Sequence, residues 1–202
     1  GYYENLDVSE EISIFYPRSS IPVILSPTRS FIIHFQSIAF NSITATMTTA
    51  YDKLSESIHL PINSITEEEN VKYASVTIPR DVPSELYNLT LTIETEGETF
   101  STTRPRAVSV KEEIDDSYTF VHLTDFHIGD PRGLTENFKE IIGWKAARKT
   151  VEEINMLNPD FVIISGDLTF GQLYPFEYIF EYQTCYEILQ DFTVPTYLCP
   201  GN

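Results

Sequence analysis

The chain has 202 residues, of which 42% are hydrophobic, and a formal net charge of −17 at pH 7. This length can bury a sizeable core in one large domain or in two small ones, and no stretch approaches the roughly 20 apolar residues of a membrane-spanning helix. So negative a chain is not expected to coat nucleic acids or anionic membranes, since phosphate backbones are bound by clustered Lys and Arg.

Residues 1–112 are predicted to form an all-β sandwich domain. Phe31, Ile33 and Phe35 alternate with Ile32, His34 and Gln36, and apolar and polar residues alternate in residues 74–78 and 89–93. This period of two is typical of half-buried strands. Prolines separate the segments, and Glu96-Gly97-Glu98 is predicted to form a hairpin turn. About seven short strands at this spacing favour an immunoglobulin-like or fibronectin-like sandwich.

Asn88 begins the sequon Asn88-Leu89-Thr90, and strand alternation places it on the polar face. Glycosylation of Asn88, together with the sandwich domain, would fit an extracytoplasmic, secreted or cell-surface location. The competing interpretation is that the sequon arose by chance in a chain rich in Ser and Thr.

A charged linker at residues 113–117 is predicted to precede a different pattern. Strands are expected at residues 118–124, 160–165 and 194–199, and helices at residues 135–157 and 175–191. This βαβαβ order implies a parallel sheet. Each helix is expected to bury one face. The predicted faces are Trp144, Ala147, Val151, Ile154 and Leu157 in the first helix, and Tyr178, Tyr182, Cys185 and Leu189 in the second.

Each strand of the predicted parallel sheet ends in a turn that carries residues typical of metal sites. The four candidate ligands are Asp125, His127, Asp167 and Asn202. Parallel strand ends meet at one edge of a sheet, so these groups are expected to converge. Carboxylate, imidazole and amide groups suit Mn, Fe or Zn. Gly166 and Gly201 would let the backbone come close to the ions.

Taken singly, each of these motifs is common in polar surface loops and turns that bind no metal. Together, directly after three apolar strands, they indicate a metal site. The two cysteines, Cys185 and Cys199, fit free thiols in a core, and a disulfide between them would need an oxidising compartment.

At these residues the sequence resembles the calcineurin-like metallophosphoesterase family, whose signature runs Asp-x-His, Gly-Asp and Gly-Asn-His. The matching stretches are residues 120–129, 159–169 and 194–202. The resemblance implies that Asp125 and His127 bind the first of two divalent metal ions, that Asp167 bridges them and that Asn202 binds the second. It also implies an α+β two-domain chain in which residues 118–202 are the first βαβαβ half of a four-layer α/β sandwich.

The family places a catalytic His directly after this Asn and further His ligands downstream. His34 and His59 lie in the predicted β domain, and His122 in a strand interior, where a satisfied structural role is expected. No catalytic residue is therefore expected within the chain, which by this comparison is truncated at the Gly-Asn motif and inactive alone. The remainder of the catalytic domain, or a partner, is expected to cover the open face of the sheet.

Purple acid phosphatases also join a β-sandwich to this fold, but two positions differ. They have Gly where this chain has His127, and a Tyr ligand where it has Phe170. An iron–tyrosinate site is therefore not expected.

The resemblance implies a metal-dependent phosphoesterase in which two cations activate water for in-line attack on phosphorus. The acidic composition is compatible with this activity, because bound cations neutralise the carboxylates around them. Phosphomonoester, phosphodiester and pyrophosphate substrates all fit. The alternative is a non-catalytic extracytoplasmic binding or scaffold protein with the β-sandwich as its recognition domain. The joint presence of the candidate ligands favours the enzyme.

Overall fold

A computed structural model describes residues 9–51, 56–128, 142–169 and 178–201. The chain divides into two compact units, Gly1–Asp116 and Ser117–Asn202. Its described residues are mostly β-sheet with two helices, a mixed α+β composition. The linker role of residues 113–117 and the functional division of the chain remain predictions.

The first unit contains nine strands among its described residues. They are β1 (Ile12–Tyr16), β2 (Val23–Leu25), β3 (Ser30–Ser37), β4 (Ser42–Thr49), β5 (Ile58–Leu60), β6 (Ile62–Glu68), β7 (Val71–Thr77), β8 (Leu86–Glu94) and β9 (Thr99–Val110). One sheet has the order β1-β3-β7-β6 and the other β2-β9-β8-β4-β5. All pairings are antiparallel except that of β2 with β9.

The two sheets share one hydrophobic core. Phe35 of β3 and Leu91 of β8 are fully buried in it, and the predicted alternation is confirmed where buried Ile33 is followed by half-buried His34. The predicted hairpin turn is also present, since the Thr95 N–H donates to the Glu98 carbonyl at 2.9 Å. Gly97 in this turn has φ 106°, a left-handed conformation that glycine adopts without strain.

The second unit contains five elements among its described residues, in the predicted βαβαβ order. They are β10 (Phe120–Thr124), α1 (Ile142–Leu157), β11 (Phe161–Ser165), α2 (Tyr178–Gln190) and β12 (Thr196–Cys199). The strands pair in parallel in the order β10-β11-β12, so the predicted parallel sheet is confirmed. Neither helix has the length and apolar character needed to cross a membrane.

Each helix buries one face, and the predicted face is confirmed for α1 and only partly right for α2. In α1 the predicted residues are buried except Leu157, which is 72% exposed at the helix end. In α2, Cys185 is buried and Leu189 packs against the core as predicted, but Tyr182 is 63% exposed. Glu181, Thr184 and Ile188 are buried instead. The side chain of Tyr178 lies outside the described residues.

One face of the β10-β11-β12 sheet packs into the core through Val162 and Ile164. The opposite face carries aromatic side chains. Phe120 is 51% exposed and stacks on Phe161 with ring centroids 5.3 Å apart. Tyr118, also exposed, contacts both rings. Coverage of this face by the remainder of a catalytic domain or by a partner stays a prediction.

Candidate metal centre

The candidate ligands follow directly after two neighbouring parallel strands. β10 ends at Thr124 and is followed by Asp125 and His127, while β11 ends at Ser165 and is followed by Gly166 and Asp167. Two backbone hydrogen bonds join the loops, because the His127 and Ile128 N–H groups donate to the Asp167 and Leu168 carbonyls, both at 2.9 Å. The parallel pairing thus continues past the strand ends and fixes the loops side by side.

All three candidate ligands in these loops have left-handed backbone conformations. The φ angles are 53° for Asp125, 43° for His127 and 48° for Asp167. Asp and His adopt this region more often than most residues, yet each such residue stores strain on the order of 1–3 kcal/mol. Such strain clusters at functional sites, where the surrounding structure holds side chains in a required direction.

The three side chains converge. One potential ligand atom from each of Asp125, His127 and Asp167 lies within 4.8 Å of the other two. His127 Nε2 is 3.6 Å from Asp125 Oδ1 and 3.9 Å from Asp167 Oδ2. These separations are long for hydrogen bonds. They fit atoms that share one ion, since ligands about 2.1 Å from a metal lie roughly 3–4 Å from each other.

The electrostatics of the cluster also fit a cation. Two carboxylates at this separation repel each other, and a divalent ion between them would turn that repulsion into attraction. The side chain of Asp125 is 62% exposed, and those of His127 and Asp167 are each 30% exposed. The backbone hydrogen bonds between the loops hold these residues in place. Because the side chains are partly exposed, an ion bound to them would have further coordination positions open to solvent.

The two glycines predicted to permit close backbone approach lie next to the cluster. A Cβ on Gly201 would overlap the Oδ1 and backbone N atoms of Asp167, and a Cβ on Gly166 would lie 3.0 Å from the Gly201 Cα. The Gly166 N–H donates to the Cys199 carbonyl at 3.1 Å. The loop after β12 thus packs directly on Asp167, and any larger residue at position 201 would displace it.

The other residues discussed in the sequence analysis lie outside the cluster or outside the described residues. Asn202 and Phe170 lie outside the described residues, so their roles stay predictions. His34 lies in β3, His59 in β5 and His122 in β10. His122 has the satisfied structural role that was expected, because its Nε2 hydrogen-bonds Ser165 Oγ at 2.6 Å.

Asn88 is half-buried in β8, opposite a bulge in β9. Its Oδ1 accepts a hydrogen bond from the Arg106 N–H at 2.9 Å, and Arg106 has φ 54°. Asn88 therefore has a structural contact, and its glycosylation stays a prediction.

Both cysteines are free thiols, Cys185 buried and Cys199 exposed. Burial raises the pKa of the Cys185 thiol to about 12. Sequence reasoning gave no role to Thr124, whose hydroxyl contacts Asp125. A lone Thr before an Asp carries no distinctive signal.

Residues 118–202 match the family model of the calcineurin-like phosphoesterases, and this matched stretch contains the three converging side chains. No curated protein matches the sequence. The family model thus supports the family resemblance for the second unit.

Similar solved structures include purple acid phosphatase PPD1 from yellow lupin (Lupinus luteus) seeds, with a TM-score of 0.38, 12% identity, and coverage of 88% of this chain and 34% of that one. The endo-β-1,4-mannanase from Thermotoga petrophila has a TM-score of 0.34, 12% identity, and coverage of 53% and 21%. A chimeric titin Z1Z2 has a TM-score of 0.29, 16% identity, and coverage of 52% and 99%. This chain thus spans about a fifth of the mannanase and a third of the phosphatase.

Proposed function

We propose that the second unit carries the metal-binding motifs of a phosphoesterase, with Asp125, His127 and Asp167 as metal ligands. The observation that supports this most is their convergence within 4.8 Å at the carboxyl ends of two parallel strands. The same residues lie in the stretch that matches the calcineurin-like phosphoesterase family model.

The donor set suits borderline divalent ions. Two carboxylates and one imidazole are ligands that Mn, Fe and Zn accept, whereas Mg prefers oxygen alone. Three side chains cannot complete two coordination spheres of at least four ligands each. We propose that Asp167 bridges two ions and that Asn202 and further groups complete the second sphere.

When bound, such ions supply Lewis acidity toward a phosphoryl group and lower the pKa of a water molecule. The chain's own residues hold and orient them. Asp125 and Asp167 supply the negative charge, His127 supplies a neutral nitrogen donor, and the paired loops keep all three in place. Phosphomonoesters, phosphodiesters and pyrophosphates remain compatible substrates.

For the first unit, we propose an immunoglobulin-like sandwich. The two sheets with one core support this. So does Tyr87 near the start of β8, which is fully buried and donates its hydroxyl proton to the Pro83 carbonyl at 2.8 Å. Immunoglobulin-like domains carry such a tyrosine corner. Burial, with a smaller contribution from Glu85, raises the pKa of Tyr87 to about 12, so this donor keeps its proton at neutral pH.

The proposal is tested by hydrolysis of aryl phosphate mono- and diesters with Mn²⁺ or Zn²⁺. The assay would use the natural full-length protein. We expect metal-dependent turnover that a chelator abolishes and that Asp125→Ala lowers by at least about 100-fold, because a ligand is lost. Glu187→Ala removes an exposed carboxylate of α2 and should change nothing.

Turnover that survives both the chelator and Asp125→Ala would contradict the proposal. A folded protein without any metal-dependent turnover would favour the non-catalytic binding protein instead.

A further inference from the structure

We infer that Thr124 is a positioning residue for the metal centre, and that its hydroxyl sets which carboxylate oxygen of Asp125 is free to bind an ion. This inference rests on the proposed function. Thr124 Oγ1 is 2.6 Å from Asp125 Oδ2 and 3.0 Å from the Ser165 carbonyl oxygen. Both partners are acceptors, so the single hydroxyl proton is directed toward them.

The shorter contact identifies the stronger hydrogen bond. Bonds from a hydroxyl to a charged oxygen are about 2.5–2.7 Å long, and neutral ones are longer. The 2.6 Å contact therefore indicates donation to the Asp125 carboxylate, with the Ser165 carbonyl as a weaker second acceptor. An exposed carboxylate on a short side chain would otherwise rotate, and this bond restrains it.

The bond also divides the two oxygens of Asp125 between different partners. Oδ2 accepts from Thr124, while Oδ1 lies 3.6 Å from His127 Nε2, on the side of the candidate ligands. An ion at the cluster would then meet Asp125 through Oδ1 alone. Ligating carboxylates are commonly hydrogen-bonded through such outer partners, which are worth about 10–100-fold in metal affinity.

Thr124 is itself held by the sheet. It is paired with Ser165 in the parallel register of β10 and β11, so its side chain reaches across to the strand that leads into Asp167. As a β-branched residue it has few χ1 rotamers to lose on fixing its hydroxyl. Thr124 thus links the loop of Asp125 to the strand before Asp167, which suits a residue that presets the distance between two ligands.

The test is a Mn²⁺ titration of the natural full-length protein, in which the electron paramagnetic resonance signal reports the free Mn²⁺. Thr124→Val keeps the branched shape but removes the hydroxyl, and is expected to weaken binding about 10-fold. Thr124→Ser keeps a hydroxyl at this position and is expected to bind Mn²⁺ within about threefold of wild type, because its Oγ can donate the same hydrogen bond to Asp125. Thr193→Val, at an exposed threonine of the same unit, is the control and should bind as wild type does.

Thr124→Ala provides a second variant without the hydroxyl if the valine disturbs the strand, and circular dichroism checks the fold of each. Equal affinity in wild type, Thr124→Val and Thr124→Ala would overturn the inference and leave the metal centre intact. Equal losses in the valine and serine variants would also overturn it, because shape and not the hydroxyl would then matter. Wild-type protein that binds no Mn²⁺ would overturn the proposed function and this inference together.

Discussion

Asp167→Asn is expected to lower Mn²⁺ affinity by at least about 100-fold, since loss of an outer partner alone reaches that figure. Asp167 Oδ2 lies 3.9 Å from His127 Nε2, and the residue also contributes to the cluster with Asp125. Asparagine has the same size and tolerates the φ of 48° at this position. The substitution therefore removes charge and donor strength while it leaves the loop conformation in place.

Without metal, the Asp167→Asn variant is expected to unfold at the wild-type temperature or above it, because it relieves repulsion between two carboxylates. Mn²⁺ should raise the thermal unfolding midpoint of the wild-type protein, since a ligand that binds the native state stabilises it. The unfolding midpoint of the variant should hardly change when Mn²⁺ is added. Asp116→Asn, an exposed aspartate in the first unit, is the matched control. Wild-type affinity in Asp167→Asn would remove this residue from the proposed centre.

Gly201→Ala is expected to weaken metal binding on the order of 10-fold or more, an effect comparable to losing an outer partner, and to destabilise the second unit. The added Cβ would overlap both the carboxylate Oδ1 and the backbone N of Asp167. Relief requires a backbone shift, because one of the overlapping atoms belongs to the main chain. Overpacking of this kind costs about 1–3 kcal/mol, and the shift moves a proposed ligand.

Gly97→Ala separates this clash from general effects of replacing glycine. A Cβ at Gly97 meets nothing within 4 Å, but the φ of 106° is unfavourable for alanine. This variant should lose stability while it keeps wild-type metal affinity. Thermal unfolding and Mn²⁺ titration of both variants measure the two effects. Unchanged affinity in Gly201→Ala would show that Asp167 does not depend on the close approach of this loop.

The convergence of the three candidate ligands could be predicted from the sequence because simple rules place them. Apolar strands in βαβαβ order pair in parallel, and their carboxyl ends meet at one edge. The structure accordingly brings Asp125, His127 and Asp167 together, although they come from two separate motifs. Period-two alternation likewise predicted the buried residues Phe31, Ile33 and Phe35 of β3.

Other features depend on pairing register and could not be predicted. β2 and β5 have three residues each, too few to show alternation, so the expected count of strands was low. The contact between Asn88 and Arg106 exists because β9 bulges opposite β8, and no local pattern encodes that bulge. Thr124 reaches Ser165 only through the cross-strand register.

The buried face of α2 could not be decided from spacing alone. The predicted face through Tyr182 and the observed face through Glu181 both follow helical periodicity, and both include Cys185 and Leu189. The helix turns Tyr182 outward and buries Glu181 and Thr184. The surface against which the helix packs decides which of the two faces is buried, and the sequence of the helix alone does not specify that surface.

Asp125, His127 and Asp167 are proposed to bind one divalent ion together. The most direct measurement is a crystal structure of the protein grown with Zn²⁺, with anomalous diffraction data collected at the zinc absorption edge. We expect an anomalous peak roughly 2.0–2.2 Å from a carboxylate oxygen of Asp125, an imidazole nitrogen of His127 and a carboxylate oxygen of Asp167. An ordered cluster without a peak, at saturating Zn²⁺, would contradict this proposal.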